Sequence, residues 1–273
     1  MVTKIWKHNQ FWMLPIISGA AILLIWYSIS YAYGQAEGFD TQRIVIPFPH
    51  QIFDALIAER AVLLASASQT AFTAVLGFLM AVVVGYVLSM ILASAVWVKQ
   101  SLYPWVLVLQ MTPVVVLAPI FVLWFGQGVP SITVITFLIG FFPVVANTTM
   151  GLVSTDRNLL DLMEMCNATK SQEIIYLRVP YAMPYFLTGM KIAGTLAPIG
   201  AITGDIFAGS SQGGVGGIGF MVIVYNSQLK IPELFATAFV ACLLGFIFVG
   251  CVNLLHWYLL KNWHDSVRKS EVN

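Results

Sequence analysis

The segment from Ser154 to Lys191 reads STDRNLLDLMEMCNATKSQEIIYLRVPYAMPYFLTGMK and is the longest charge-rich stretch inside a very apolar chain. Its charged side chains are Asp156, Asp161, Glu164, Glu173, Arg157, Lys170, Arg178 and Lys191. A run without Asp, Glu, Lys or Arg precedes it from residue 100 to 155, and apolar sequence follows it. About 20 apolar residues suffice to cross a bilayer as a helix, and the runs on both sides are at least that long. The segment is therefore predicted to be a folded loop in water between two membrane spans.

Composition places the whole chain in the membrane. Hydrophobic residues make up 59% of the 273 residues, charged residues only 9%, and the mean hydropathy is +0.86. Soluble domains carry about 25% charged residues, so this balance indicates an integral membrane protein. The net charge of +1 indicates neither a nucleic acid nor a strongly acidic partner.

The apolar runs predict an all-α membrane protein with six transmembrane helices per chain, in one domain covering 1–273. The spans are expected at about 11–33, 66–95, 104–125, 132–153, 185–207 and 234–260, and the polar loop at about 154–184. With six spans both termini share one side, which then holds ten of the thirteen Lys and Arg residues. Since cytoplasmic loops carry the excess of Lys and Arg, the termini and the loop are predicted to be cytoplasmic.

Within the charged segment, a group of residues stands at a specific spacing. Asp161-Leu162-Met163 is followed after three residues by Asn167, and Leu177, Val179 and Pro180 close the pattern. This spacing resembles the EAA loop of ABC-importer permeases, E-A-A-x(3)-G-x(9)-I-x-L-P, in which two short helices dock on an ATPase subunit. Asn167 stands at the glycine, and because Asn tolerates positive φ, a turn between two helices is expected there.

The resemblance covers about residues 47–260. Pro47 and Pro49, followed by apolar residues at helical spacing, predict an interfacial amphipathic helix before the second span. This order, together with PIFVLWFGQG at 119–128 and GGIGF at 216–220, is similar to the nitrate/sulfonate/taurine/bicarbonate branch of these permeases.

The resemblance implies the type I ABC-importer permease fold and a multi-pass protein of the bacterial plasma (inner) membrane. The chain would be the non-catalytic, channel-forming subunit of an ATP-driven importer of a small polar solute, working by alternating access. It implies a homodimer, two ABC ATPase subunits on the cytoplasmic side and an external solute-binding protein, with ATP and Mg held by the ATPases and no cofactor or metal on this chain. The docking residues would be Asp161, Leu162, Met163, Glu164, Asn167, Ala168, Leu177, Val179 and Pro180.

Polar residues near prolines in spans three to five are candidates for a translocation path. Pro113, Pro119, Pro143 and Pro198 are expected to kink apolar helices and free backbone carbonyls. The nearby candidates are Gln110, Thr112, Asn147 and Thr195, and Thr148, Thr149 and Thr203 also lie close to these prolines. Such side chains can equally form interhelical hydrogen bonds, and it is their clustering as a group that favours a path.

The glycine-rich segment 209–219 follows the fifth span on the outer side. Six of its eleven residues are glycine, including Gly216, Gly217 and Gly219, and positive-φ freedom is expected there. A gate-lining loop is predicted, with a plain connector as the alternative. Asp205, just upstream, is a candidate for a structural or gating role near the outer end of the span, where an exposed carboxylate costs little.

Other chemistries find little support in the sequence. The G-x-G-x-x-G match at 214–219 lacks the strand and helix of a nucleotide site, no Walker A motif occurs, and the Cys and His residues have no metal-ligand spacing. A secondary transporter or channel without an ATPase is the alternative; it would show inverted repeats and buried ion-coupling charges. Nitrate, bicarbonate, alkanesulfonates, taurine and a thiamine-precursor pyrimidine all stay open as substrates, as does a heterodimer.

Overall fold

The computed structural model describes residues 2–211 and 216–260, with side chains from Met13 onward. The regular elements in this part of the chain are helical. The first six are α1 (Val2–Glu37), α2 (Phe39–Val45), α3 (Pro49–Ala58), α4 (Arg60–Ser94), α5 (Val96–Met111) and α6 (Val114–Phe125). The others are α7 (Val129–Val153), α8 (Arg157–Met165), α9 (Lys170–Glu173), α10 (Val179–Ala208), α11 (Ile218–Ser227) and α12 (Ile231–Leu260). A π-helical turn, Ile174–Arg178, joins α9 to α10.

Five helical stretches of the described chain are long and apolar enough to cross a membrane. They are Met13–Glu37, Arg60–Ser94, Val129–Val153, Lys170–Ala208 and Ile231–Leu260. The bent pair α5 and α6 makes a sixth if it counts as one span. This architecture confirms the prediction of an all-α membrane protein, and α4 begins earlier than the predicted residue 66.

The third predicted span, 104–125, is not one continuous helix. The axes of α5 and α6 differ by 96° across a break at Thr112 and Pro113. The break has a local cause, because proline disfavours the α conformation of the residue before it, and Thr112 is extended with φ −75° and ψ 123°. Pro119, Pro143 and Pro198, which were also expected to kink helices, lie within α6, α7 and α10.

The contacts within the chain divide it into two compact units, of which the larger comprises Leu64–Phe220 and Val240–Asn273. Its centre is the packing of α7 against α10, where Val144 and Leu187 belong to one buried apolar cluster. Glycine permits this close approach: a Cβ on Gly189 would lie 2.8 Å from the Pro143 carbonyl oxygen. The single domain over 1–273 stays a prediction.

The smaller unit comprises Met1–Leu63 and Met221–Phe239. Trp26 of α1 donates its Nε1–H to the Pro47 carbonyl at 3.0 Å, and its ring centroid lies 5.7 Å from that of Phe235. α3 begins at Pro49, where a missing N–H is harmless because the first helical N–H groups have no partner within the helix. Exposed Phe53 on α3 agrees with the helix predicted before the second span.

Candidate functional site

The charged loop contains two short helices joined by a turn. α8 begins after Asp156, whose carboxylate accepts a hydrogen bond from the Asn158 N–H at 2.9 Å as an N-cap. Asn167 follows α8 with a φ of 54°, and the N–H of Ala168 donates to the Met163 carbonyl at 3.0 Å. This is the Schellman arrangement, which needs one residue in the left-handed region. The predicted turn at Asn167 is therefore present.

The second half of the loop is continuous with the next span. Thr169 and Gln172 form a capping box: the Thr169 N–H donates to Gln172 Oε1 at 2.8 Å, and Thr169 Oγ1 accepts from the Gln172 N–H at 3.3 Å. From there 39 residues, Lys170–Ala208, are helical without a break. At about 1.5 Å per residue this length exceeds the roughly 30 Å of hydrocarbon, so the stretch is longer than one crossing requires. Its charged residues Lys170, Glu173 and Arg178 are all in the first turns.

Arg178 connects this half of the loop to the end of α7, and Glu173 holds Arg178 in place. The Glu173 side chain is paired with two cations. It is buried and accepts hydrogen bonds from Lys170 Nζ at 2.9 Å and Arg178 Nε at 2.7 Å. The hydrogen bond from Lys170, and after it that from Arg178, hold the pKa of the Glu173 carboxyl below its usual value. The Arg178 guanidinium also donates to the Leu152 carbonyl at 3.5 Å. The loop is thus attached to α7 by this hydrogen bond and to α10 by continuous helix.

The loop carries both exposed acids and exposed apolar side chains. We call this set of residues the docking face; its members are Leu159, Asp161, Leu162, Glu164, Met165, Ile175 and Tyr176. Met165 is 81% exposed and Tyr176 72%. Exposed apolar side chains on a polar loop are typical of a surface that binds a partner.

The docking residues predicted from the motif divide into two groups. Asp161, Leu162, Glu164 and Asn167 are exposed, whereas a second group is half-buried: Met163, Ala168, Leu177, Val179 and Pro180. Sequence reasoning missed Leu159, Met165, Ile175 and Tyr176. The available signal was the i, i+3, i+6 spacing of Leu159, Leu162 and Met165 in a segment already predicted to be in water.

Asp205 is fully buried in α10 rather than exposed at its outer end, so that expectation was wrong. Thr70 Oγ1 of α4 lies 2.6 Å from its Oδ2 and also accepts the Ile218 N–H at 2.8 Å. The Ser66 carbonyl, at 3.1 Å, competes for the hydroxyl hydrogen, but the carboxylate is closer and charged. A buried carboxylate without a donor would be costly, and the Thr70 hydroxyl supplies one.

At each of the three candidate glycines in the glycine-rich segment, another part of the chain lies too close to leave room for a side chain. A Cβ on Gly217 would lie 2.2 Å from Asp205 Oδ2, one on Gly219 2.2 Å from the Ile202 carbonyl oxygen, and one on Gly216 2.2 Å from the Phe220 ring. Neither Gly217 nor Gly219 has a φ in the left-handed region. At these two positions the structure requires the absence of a side chain rather than the expected backbone freedom. The predicted gate loop includes residues 212–215, which lie outside the described residues.

One buried cluster is therefore formed by Thr70, Asp205, Gly217 and Gly219.

The polar path candidates, by contrast, are not joined to one another by hydrogen bonds in the described residues. Three of them donate to carbonyls of their own helices: Thr112 to Val108 at 3.2 Å, Asn147 to Pro143 at 2.8 Å and Thr195 to Lys191 at 3.1 Å. Gln110 is exposed. A role in a path stays a prediction for all four. Sequence reasoning missed Thr70, which is a small polar residue in an apolar helix.

The helices define a multi-pass membrane protein with one structured polar loop. Residues 76–263 match the family described as binding-protein-dependent transport system inner membrane component, and the chain belongs to that family.

Named relatives agree with this assignment. The chain is 37% identical to the formylaminopyrimidine transport permease protein ThiX of Halalkalibacterium halodurans over 68% of its own length and 72% of the relative. It is 26% identical to the putative aliphatic sulfonates transport permease protein SsuC of Bacillus subtilis over 93% and 89% of the two chains. A solved structure titled as an amino acid ABC transporter with histidines aligns with a TM-score of 0.58 at 14% identity, over 77% of this chain and 98% of that one, which shows a shared fold.

The chain is therefore a permease subunit of a binding-protein-dependent ABC importer for a small solute, and ATP hydrolysis belongs to a separate subunit. It works with an ATPase and a solute-binding protein. The family membership answers the alternative of a secondary transporter or channel that acts without an ATPase.

Proposed function

We propose that the docking face receives the ATPase subunit. The observation that carries this is the joint exposure of Leu162, Met165 and Tyr176 with the acids Asp161 and Glu164 on a loop bonded to the membrane spans. Apolar side chains supply the buried area of an interface, and exposed acids attract basic residues and set the register of docking.

The assembly consists of two copies of this chain, two ATPase subunits that hold ATP and Mg on the cytoplasmic side, and one solute-binding protein outside. Both termini and the charged loop face the cytoplasm, because the Lys and Arg residues are concentrated on their side of the six spans. A single chain of this size does not enclose a path, so two copies supply the walls.

ATP-driven closure of the ATPases moves the two loops, and the helices carry that movement outward. The helical stretch Lys170–Ala208 has the docking face near its first turns and Asp205 near its last. Arg178 also bonds to the Leu152 carbonyl of α7. A displacement at the loop therefore reaches both α7 and the cluster of Asp205 and Gly217, where it switches the cavity between inward-facing and outward-facing states.

For the substrate, we propose a small neutral polar solute of the formylaminopyrimidine type. The identity of 37% with the formylaminopyrimidine permease exceeds the 26% with the sulfonate permease. In addition, residues 101–154 and 192–229 contain no Lys or Arg, so these segments offer no cation to hold an anion within the membrane. Uptake of labelled formylaminopyrimidine, with an alkanesulfonate as the comparison, tests this choice.

Cross-linking tests the docking proposal directly. In a background with Cys166, Cys242 and Cys251 replaced by Ser, Met165→Cys should form a cross-link with the ATPase subunit in membranes. Phe53→Cys, another exposed apolar position, serves as the control because it lies on the opposite predicted side. Equal cross-linking at both positions, or none at Met165→Cys, would contradict the proposal.

A further inference from the structure

A cavity of about 290 Å³ lies between α5 and the last turns of α7. Its polar lining comes from Lys99, Tyr103, Asn147 and Thr149. A second cavity of about 570 Å³ shares Lys99 and Tyr103 with it and has mainly apolar walls, with Arg178 as its other cation. All of these residues belong to the larger unit.

Lys99 brings a positive charge to both cavities without a carboxylate to balance it. Among the described residues the ion pairs are Lys170–Glu173 and Arg178–Glu173, and neither involves Lys99. The contact that Lys99 makes is with the Tyr103 ring, whose centroid lies 5.8 Å from Nζ. A partly buried ammonium with only an aromatic face beside it retains the capacity to bind an anion.

Thr149 adds a hydroxyl that lacks a partner. The residue is 1% exposed, and its Oγ1 makes no hydrogen bond within the described part of the chain. A threonine in a helix commonly donates to the carbonyl four residues earlier, which is that of Val145. Here Thr149 does not bond to that carbonyl. The Ser89 hydroxyl lies 3.2 Å from the same carbonyl oxygen and 2.8 Å from that of Gly85. Because a buried hydroxyl without a partner costs free energy, the cavity is suited to a ligand that accepts hydrogen bonds.

The position of the cavity indicates which ligand. α7 ends at Val153, where the charged loop begins, so this end of the helix meets water. On α5, Trp97 is 72% exposed and Trp105 is 68% exposed. Exposed tryptophans of membrane proteins concentrate at the level of the lipid headgroups, and basic pockets between spans at that level bind lipid headgroups.

We infer that Lys99, Thr149 and Tyr103 bind the phosphate of an anionic phospholipid. The phosphate oxygens accept from the Lys99 ammonium and the Thr149 hydroxyl, and the Tyr103 hydroxyl is a further donor. The larger cavity takes the glycerol and the upper part of an acyl chain along its apolar walls, which a free inorganic anion would leave unfilled. Arg178 lines this cavity, so the lipid lies beside the part of the loop that joins α10.

Lipid binding to the purified permease–ATPase complex tests this inference. The complex is placed in nanodiscs of phosphatidylcholine with or without phosphatidylglycerol, and the retained lipid is counted by native mass spectrometry. Wild type should retain phosphatidylglycerol selectively, and Lys99→Gln should weaken its retention about fivefold, the effect of one basic residue near an anionic headgroup. Lys99→Arg should retain phosphatidylglycerol as wild type does. The matched control is Lys230→Gln, which removes a lysine that lies just before α12.

Thr149→Val separates lipid binding from a folding defect because it removes an unpaired hydroxyl at nearly constant shape. In phosphatidylcholine alone the variant should unfold at the wild-type temperature or higher, while its retention of phosphatidylglycerol should fall. Equal loss of lipid in Lys99→Gln and Lys230→Gln, or equal retention of the two lipids by wild type, would overturn the inference. Displacement of the lipid by millimolar inorganic phosphate would assign the site to a free anion instead.

Discussion

The Thr70 hydroxyl of α4 and the Asp205 carboxylate of α10 are 135 residues apart in sequence and 2.6 Å apart in space. Both side chains are fully buried, and the same hydroxyl accepts the N–H of Ile218 where the chain returns into α11. One small side chain therefore connects two membrane helices and the start of a third.

Replacing Thr70 by Val should destabilise the protein by about 2–3 kcal/mol, because the buried Asp205 carboxylate loses its hydroxyl donor and the buried Ile218 N–H loses its acceptor. Unfolding of the purified chain in mixed micelles measures the effect. Thr73→Val is the matched control, since Thr73 is also buried but bonds only to carbonyls of α4. An equal loss of stability in the two variants would show that Thr70 has no special role.

Replacing Gly216 and Gly217 by Val should impair solute uptake and leave assembly with the ATPase intact. The reason is steric: the first added carbon at position 217 would lie 2.2 Å from the Asp205 carboxylate, so the returning chain must shift. Gly250 in α12 has no heavy atom within 4 Å of an added Cβ, and Gly250→Val should transport normally. If the double variant assembles and transports at the wild-type rate, the segment is a passive connector.

Replacing Asp161 and Glu164 by Lys should weaken the association with the ATPase and uncouple transport. Both carboxylates are exposed on the docking face, so the change reverses the charge offered to a partner without disturbing a core. Recovery of the ATPase in a pull-down and solute uptake are the two measurements. Asp54→Lys, an exposed acid of α3, controls for net charge; unchanged recovery and uptake in the loop variant would contradict the prediction.

Cysteine labelling should show which side of the membrane each loop faces. In a background without the native cysteines, a cysteine at Lys170 should react with an impermeant reagent only from the cytoplasm, and one at Gln35 only from outside. The concentration of Lys and Arg on the predicted cytoplasmic side is the physical basis. Labelling of position 170 from outside would reverse the orientation and remove the docking proposal with it.

Local features of the fold were predictable from sequence because their causes are local. The turn at Asn167 follows from a spacing of residues and from the tolerance of Asn for positive φ. The break before Pro113 follows from the effect of proline on its neighbour, and it lies within the predicted span 104–125, where a kink at Pro113 was expected.

The burial of Asp205 was not predictable in the same way. Its donor, Thr70, comes from a distant helix, and the covering glycines return from a loop whose path depends on tertiary packing. An acid near the end of an apolar run is usually exposed, so the local pattern favoured the wrong expectation. The docking face was only partly predicted, since the motif names the turn and the acids but not the apolar side chains beside them.

The unbroken helix from Lys170 to Ala208 fixes the direction in which its first side chains point relative to its last ones. Each residue turns an α-helix by about 100°, so one residue inserted between Tyr176 and Asp205 would rotate Ile175 and Tyr176 to another side of the helix relative to Asp205. The π-helical turn already absorbs one such offset at this place. Insertions and deletions should therefore be tolerated in the connections outside this helix and excluded within it. Within the helix they would change the rotation about its axis between Tyr176 and Asp205.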